Sequence, residues 1–546
     1  MKNYPLYPVE KSKDFNSYVE KMAKDHQDKP AIFYYTDEGV EVVKTYRELA
    51  ADIYALAEEL SHRGLRGKHI AILSQNSYMF AVAFLAIAYI GSVAVPIDQE
   101  QMPDTINALI SFADCELIFV SDLMLERVKD EEVFKKTPLI IMTPDTEAED
   151  SFHAALAHGN ALIESQGSTC KGLAIDPQQN VVIIYTSGTT SISKPVMLSQ
   201  RAVLTNAYNS MEMVDLPLRI FTSLPLNHAY GLSDSLINNL AHGAQLCING
   251  DIRYMVRDLS LFKPVGMLAV PLIAEMMLKE LISAYEKVTN TNIGTTQYIK
   301  KLSKFSEKPD EKLVAFKDRV FPGCKLILCG GAYLSANVAK ALHKFGLFVI
   351  EGYGITECGP MVSTNRNNYY KRETVGMLLP SFEIKIEDGE ILLRGDCRMS
   401  GYYKREDLTA EAIVDGWFKT GDLGRVDHDG FLVISGRKKN IIVLKNGKNV
   451  SPEELENLLS EISMVKEAIV YGSAIGNATD DVVPAATIYP DPAETKDMAA
   501  FEVLAELQTA VDAINRKLPA YKQIRHINIR EKEFPKTSTR KIKRSK

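Results

Sequence analysis

The sequence predicts an α/β protein of more than one domain, and three observations carry that prediction. At 546 residues the chain exceeds what one compact core encloses. Through most of its length, helix-periodic stretches alternate with short β-branched apolar runs, the pattern of parallel sheets covered by helices. Beyond Lys439 the pattern changes to a self-contained α+β unit of about a hundred residues, a typical size for a small domain. The expected division is therefore 1–438 and 439–546.

In chain order, Tyr46 to Leu60 places Leu49, Ile53, Leu56, Ala57 and Leu60 on one helical face, and Gly64 ends it. His69 to Leu73 follows as a strand. The apolar run from Met79 to Pro96 is punctuated by Gly91 and ends in the β-prone Val93-Ala-Val95, which predicts a buried helix leading into a core strand, not a membrane span. The alternation recurs at Leu117 to Val120 and at 181–198. From Ile282 to Asp318 the chain is polar and lysine-rich, and is expected to run over the surface as a solvated excursion. Sheet-like Phe382 to Ile386 and Ile391 to Arg394 precede the basic cluster at Gly436 to Asn440. In the small unit, Ser451-Pro-Glu-Glu454 reads as a capping box with proline at the first helical position, ahead of Leu455, Leu458, Leu459 and Ile462. Strands at Ala468 to Tyr471 and Val482 to Tyr489, a helix from Phe501 to Leu518 and a basic tail complete it.

Composition narrows the function classes. Hydrophobic and charged residues at 46% and 24% are ordinary for a soluble globular protein. A net charge of -7 supplies no global attraction to nucleic acid or anionic membrane. The seven cysteines form no Cys-x-x-Cys pair, which speaks for reduced thiols in a cytoplasmic protein and against zinc or a disulfide framework. The first residues contain no apolar signal segment, and no transmembrane segment is read.

Chemistry concentrates at Tyr185 to Ser199. The strand-like Val181 to Ile184 empties into a stretch where Thr186, Ser187, Thr189, Thr190, Ser191 and Ser193 offer hydroxyls, Gly188 frees the backbone and Lys194 adds positive charge. Such a surface suits phosphate oxygens. It is not a Walker loop, because Lys194 is followed by Pro195 and the Gly-Lys pairs elsewhere precede His69 and Asn449. Four further motifs follow: Leu224-Pro-Leu-Asn-His228-Ala-Tyr-Gly231, Cys329-Gly-Gly-Ala332, Glu351-Gly-Tyr-Gly-Ile-Thr-Glu357, and Gly416-Trp-Phe-Lys-Thr-Gly-Asp422 with Gly436-Arg437 behind it.

These five stretches, in this order, resemble the motifs of the adenylate-forming superfamily, which includes the acyl-CoA synthetases, luciferases and peptide-synthetase adenylation domains. The resemblance implies a large adenylating domain and a small mobile one that rotates about Lys439. It implies that Thr186, Ser187, Gly188, Thr189, Thr190 and Lys194 hold the β- and γ-phosphates of ATP. Gly330, Gly331, Ala332, Tyr353 and Gly354 would border adenine, Thr356 would bind phosphate, and Glu357 would hold Mg2+. Asp422 and Arg437 would hold the ribose, and His228 would border the carboxylate substrate. The tail Phe534-Pro-Lys-Thr-Ser-Thr-Arg-Lys541 matches the motif whose lysine serves the first half-reaction, and Gly447, within Lys445-Asn-Gly-Lys-Asn-Val450, would lie against the thiol arm of CoA. The sequence departs from the family pattern at Ser191, Ser193, Pro195, Tyr333, Arg540 and Asn440. The Asn-Gly-Lys-Asn run and the 282–318 excursion are similar to those of long-chain fatty acyl-CoA synthetases. The implied function is ATP-dependent activation of a medium- or long-chain fatty acid as acyl-AMP, then transfer to CoA. The alternatives are a stand-alone enzyme that loads a separate carrier protein, and a weakened relative that only binds ligand. Asp234 stands alone in the sequence and supplies no acidic substrate-amine motif.

Overall fold

The computed structural model describes residues 5–36, 39–143, 148–186, 193–291, 295–303, 308–444, 448–474, 482–536 and 542–544. Two large sheets run mostly parallel, as the alternating pattern predicts. One orders the strands Gly401–Tyr402, Lys194–Ser199, Asn180–Thr186, Val93–Pro96, His69–Leu73, Cys115–Ser121 and Leu139–Met142. The other has a parallel centre in which Phe348–Gly354, Leu326–Cys329, Gly266–Ala269, Arg219–Thr222 and Gln245–Ile248 are successive neighbours.

The core explains the layering. One buried cluster joins Ile70, Ile72 and Val182 of the first sheet to Leu246 and Ile350 of the second through the helices Phe15–His26, Tyr46–His62, Tyr78–Tyr89 and Gln200–Met213. Those helices therefore lie between the sheets. Separate clusters cover the outer face of each sheet, giving alternating helix and sheet layers. The run at Met79 is the helix Tyr78–Tyr89, buried along nearly its whole length between the two sheets. No described helix is long and apolar enough to cross a membrane. All seven cysteines are unpaired.

A five-stranded antiparallel sheet built from Phe382–Glu387, Glu390–Gly395, Ile413–Val414, Trp417–Val426 and Leu432–Arg437 leads to the turn Lys438–Asn440. The small unit beyond it has its own core, in which Val450, Leu455, Leu459, Val470, Ile488 and Leu507 are buried together. Its three-stranded sheet is Val465–Ala474, Val482–Pro490 and His526–Ile529, and its main helices are Pro452–Ser460 and Ala500–Asn515.

Two expectations are corrected. Ser451 is the N-cap residue, but its side chain makes no capping hydrogen bond. Its hydroxyl instead donates to the Ser435 carbonyl at 2.6 Å, across to the last strand before the Lys438–Asn440 turn. The tertiary carbonyl, and not the local backbone N–H that a cap would accept from, sets the position of this hydroxyl. The 282–318 stretch is not simply a solvated excursion, because helices Pro271–Thr289, Thr295–Ser303 and Glu311–Val320 form there and bury Ile282, Tyr298, Leu313 and Phe316. Even Lys317 is buried, its ammonium donating to the Cys324 carbonyl at 2.6 Å. Such lysines bury the stem and satisfy the head, which a charge count does not register.

The described residues of the basic tail make contacts with the small unit as well. Lys536 pairs with Glu467 at 2.5 Å, Lys536 bridges to Ile542, and Arg544 pairs with Glu456 and Glu453.

Candidate active site

The parallel strands Arg219–Thr222, Gly266–Ala269, Leu326–Cys329 and Phe348–Gly354 all end on one side, and open α/β sheets bind ligands at the carboxyl ends of their strands. There lies a cavity of about 2250 Å³. A single small ligand fills roughly 300–1,000 Å³, so this space holds more than one.

One wall is cationic. The first sheet's hairpin pairs Thr186 with Lys194, so the lysine opens the return strand and is held, with its ammonium 5.1 Å from the centre of the Tyr402 ring. Arg437 and Lys439 reach the same cavity from the strand and turn that precede the small unit. Burial, and then the charges of Arg437 and Lys194, hold the Lys439 ammonium below the usual lysine pKa. Bringing these cations together costs Coulomb energy that an anionic ligand recovers. Facing them is one carboxylate, Glu357, on the short turn Thr356–Cys358, which accepts a hydrogen bond from the Tyr402 hydroxyl at 2.9 Å. Thr186 and Thr356 add hydroxyls to the lining.

Next to this wall the lining becomes flat and close. Gly330 and Gly331 follow the strand Leu326–Cys329, and Gly331 has φ +88°. Gly354 leaves no room for a side chain, since a Cβ there would sit 2.6 Å from the Pro360 carbonyl oxygen. Tyr353 lines the cavity and donates its hydroxyl to Asp422. Ala332 is exposed and does not line the cavity. Asp422 is buried behind the wall. It stands opposite Arg437 in the antiparallel ladder and accepts from the Arg437 Nε at 2.6 Å. The two residues that the resemblance gives to ribose are thus held by each other and by Tyr353.

His228 lines the same cavity. Behind it, Gly231 begins the π-helix Gly231–Ile237, packed so closely that a Cβ would overlap the Pro225 carbonyl. Leu224, Val214, Leu216 and Met361 also line the cavity, together with the polar Ser210, Asp234 and Asn238.

Of the residues singled out in the sequence, Thr186, Lys194, His228, Gly330, Gly331, Tyr353, Gly354, Thr356, Glu357, Arg437 and Lys439 border one cavity, with Asp422 directly behind. Ser187, Gly188, Thr189, Thr190, Gly447 and Lys541 lie outside the described residues. Sequence reasoning missed Tyr402, which orients Glu357 and underlies Lys194 from a two-residue strand without any motif. It also missed Tyr230, which packs against Gly330 at 3.4 Å from where a Cβ would be. Its signal was present, as an aromatic two residues after His228.

Comparison with known proteins gives the family. The family model of the AMP-binding enzymes matches residues 19–403, and that of the AMP-binding enzyme C-terminal domain matches 439–546. A long-chain-fatty-acid–CoA ligase of Mycobacterium bovis is 29% identical over 558 residues, covering 93% of this chain and 90% of the relative. One from Salmonella typhimurium is 27% identical, covering 92% and 89%. Among solved structures, an anthranilate CoA ligase in complex with anthranoyl-AMP superposes with TM-score 0.77 at 20% identity, covering 99% of this chain and 96% of that one. An o-succinylbenzoate CoA synthetase of Bacillus subtilis with its acyl-adenylate gives 0.73 at 22%, covering 96% of each chain. With both family models matched across most of its length, this chain belongs to the AMP-binding enzymes, the adenylate-forming superfamily, and is of the acyl-CoA synthetase type.

Proposed function

We propose that the protein activates a medium- or long-chain fatty acid with ATP and passes the acyl group to the thiol of CoA. The observation that carries this reading is the meeting of Lys194, Arg437 and Lys439 in a cavity whose lining also includes the apolar Val214, Leu216, Leu224, Leu268 and Met361. A polyphosphate and an alkyl chain need cations and apolar surface in one cavity.

A carboxylate is a poor electrophile, since its charge repels nucleophiles and oxide does not leave. In the proposed first step a substrate oxygen attacks the α-phosphorus of ATP in line and pyrophosphate departs, so two anions must be held together by positioned cations. Lys194, with Thr186, Ser187, Gly188, Thr189 and Thr190 of the 186–194 loop, takes the β- and γ-phosphates. Gly330, Gly331 and Gly354 admit the adenine ring against backbone, with Tyr353 beside it, and Asp422 with Arg437 serves the ribose. His228 sits where carboxylate and α-phosphate meet. Lys541 bridges those two groups. One carboxylate, with water and phosphate for the remaining bonds, is the sparse oxygen set that Mg2+ uses, so Glu357 fits that ion, and Thr356 binds phosphate. When bound, the ion neutralises phosphate charge. In the second step the CoA sulfur attacks the acyl carbon and AMP leaves, with Gly447 on the face that the small unit presents after turning about Lys439. The family relatives named above as CoA ligases support CoA as the acceptor. The seven unpaired cysteines support a reducing, cytoplasmic setting.

The test is pyrophosphate release from ATP with acids from acetate to oleate, with and without CoA, beside Lys541→Ala. The expected result is release that peaks at one chain length, acyl-CoA formed when CoA is added, and loss of about 10²-fold or more in the variant. Release without thioester would move the acceptor to a carrier protein. No release with any acid would leave a ligand-binding relative.

A further inference from the structure

Tyr402 belongs to no motif, yet the strand that begins at Lys194 and the turn that carries Glu357 both meet on it. The short strand Gly401–Tyr402 closes one edge of the first sheet, antiparallel to Lys194–Ser199, with Tyr402 opposite Val196. The ladder extends on both sides, since the Ser400 N–H donates to the Met197 carbonyl and the Tyr403 N–H to the Pro195 carbonyl, each at 2.9 Å. Side chains alternate along a strand, so Lys194 shares a face with Val196 and lies diagonally across from Tyr402, within reach of an aromatic ring. The same segment grips the turn Thr356–Cys358, where the Met399 N–H donates to the Glu357 carbonyl at 2.8 Å. Backbone bonds thus tie the strand and the turn to a single stretch of chain, 399–403.

The side chain of Tyr402 repeats that bridge. Its hydroxyl donates to Glu357 Oε1 at 2.9 Å, and the Lys194 ammonium stands over its ring, 5.1 Å from the centre. The residue is held in place. Tyr402 is 3% exposed, its N–H donates to the Thr409 hydroxyl at 2.9 Å, and the Arg405 N–H closes back on its carbonyl at 3.1 Å. A phenol donates one proton and a carboxylate has about four lone-pair sites, so this bond orients Glu357 and leaves most of its acceptor capacity for other partners. The negative face of an aromatic ring attracts a cation without neutralising it, so Lys194 keeps its full charge for an anion. Opposite charges are thereby held at the hydroxyl and the face of one side chain, and among the described residues no ion pair joins Lys194 to Glu357. Both charged groups line the cavity, whereas Tyr402 does not and acts through them. We infer that Tyr402 is a positioning residue with two separable effects, its hydroxyl aiming the Glu357 carboxylate at a divalent cation and its ring aiming the Lys194 ammonium at the outer phosphates of ATP.

This inference rests on the ATP-dependent reading of the site, and the experiment separates the two. Wild type, Tyr402→Phe and Tyr402→Leu are compared as full chains. ATP binding is followed by calorimetry without acid, so that nothing turns over, once in EDTA and once across a Mg2+ titration. Pyrophosphate release is then measured against Mg2+, ATP and acid in turn. Tyr402→Phe keeps the ring and loses the hydroxyl. The expected result is an ATP affinity in EDTA within about twofold of wild type, while the Mg2+ concentration for half-maximal release rises about tenfold. Tyr402→Leu loses both groups, and its ATP affinity in EDTA should fall about three- to fivefold below that of Tyr402→Phe. Replacement of Tyr402 by a fluorinated phenylalanine keeps the volume and weakens the negative face, so it should bind ATP in EDTA as Tyr402→Leu does, and it stands in if the leucine variant does not fold. KM for the acid should stay within about twofold throughout. A wild-type Mg2+ dependence in Tyr402→Phe overturns the hydroxyl assignment, and equal ATP affinity in EDTA for Tyr402→Phe and the ring variants overturns the ring assignment. Losses of the same size for ATP, Mg2+ and acid mark a merely structural role and overturn both, while acyl activation stands. No ATP binding and no release by the wild type removes the ATP-dependent reading, and this inference with it.

Discussion

Asp422 shows how much one side chain carries in this site. It is buried, it accepts from Arg437 at 2.6 Å, and it takes the Tyr353 hydroxyl, so it fixes the wall that the nucleotide would meet. Asp422→Asn keeps the shape and removes the charge. The expected outcome is a rise in KM for ATP of roughly 10- to 100-fold, the equivalent of one hydrogen bond to a charged group, with a smaller effect on KM for the acid. Steady-state kinetics with each substrate varied in turn checks it, and an equal rise for both substrates would contradict the assignment. Motif spacing made Asp422 and Arg437 legible in the sequence. Their pairing was not, because residues fifteen apart meet only when the Trp417–Val426 and Leu432–Arg437 strands take the register that sets them opposite each other.

At the scale of elements, the small unit is fastened by its tail. Arg544 reaches Glu456 on the helix Pro452–Ser460, and Glu456 also accepts from the Val470 N–H at 2.6 Å. Arg544→Ala leaves that carboxylate mostly buried with one donor fewer. The expected cost is about 2 kcal/mol, less than the 3–5 kcal/mol of a fully buried pair because Arg544 keeps some exposure. Hydrogen exchange at pH 8 checks it, with amides across 452–474 expected to exchange faster than in wild type and those of the strand 69–73 unchanged. The helix itself was readable from the proline at its first position and the leucine spacing. The fate of the Ser451 hydroxyl was not, since the Ser435 carbonyl that takes it lies on another strand.

At the scale of the whole molecule, several buried acids bias stability against alkaline pH. Burial pushes the carboxyls of Asp234, Glu351 and Glu456 up to about 7, in the last two against the pull of Arg372 and Arg544. The folded chain therefore binds protons between about pH 4.5 and 7 that the unfolded chain has released, and stability falls as pH rises through that window. His26 works the other way, since burial lowers its pKa and it resists protonation when folded. Three acids against one histidine predict a lower melting temperature at pH 8 than at pH 6. Thermal unfolding across that range checks it, and Asp234→Asn with Glu351→Gln should flatten the slope. A melting temperature that rises toward pH 8 would contradict the prediction.

The sequence by itself determined the layered α/β class, the small terminal unit and the motif residues of the cavity from Thr186 to Lys439, because hydrophobic period and glycine-bearing motifs act over a few residues at a time. It misjudged the 282–318 stretch, where charge counting outweighed a helical face that buries Tyr298, Leu313 and Phe316. Only the tertiary structure decided that Lys194, Arg437 and Lys439 border one cavity, that Tyr402 steadies Glu357, and that Asp234 is buried beside Ser210. Those meetings join segments that strand order alone brings together, and electrostatics and burial act through space, where sequence separation has no bearing.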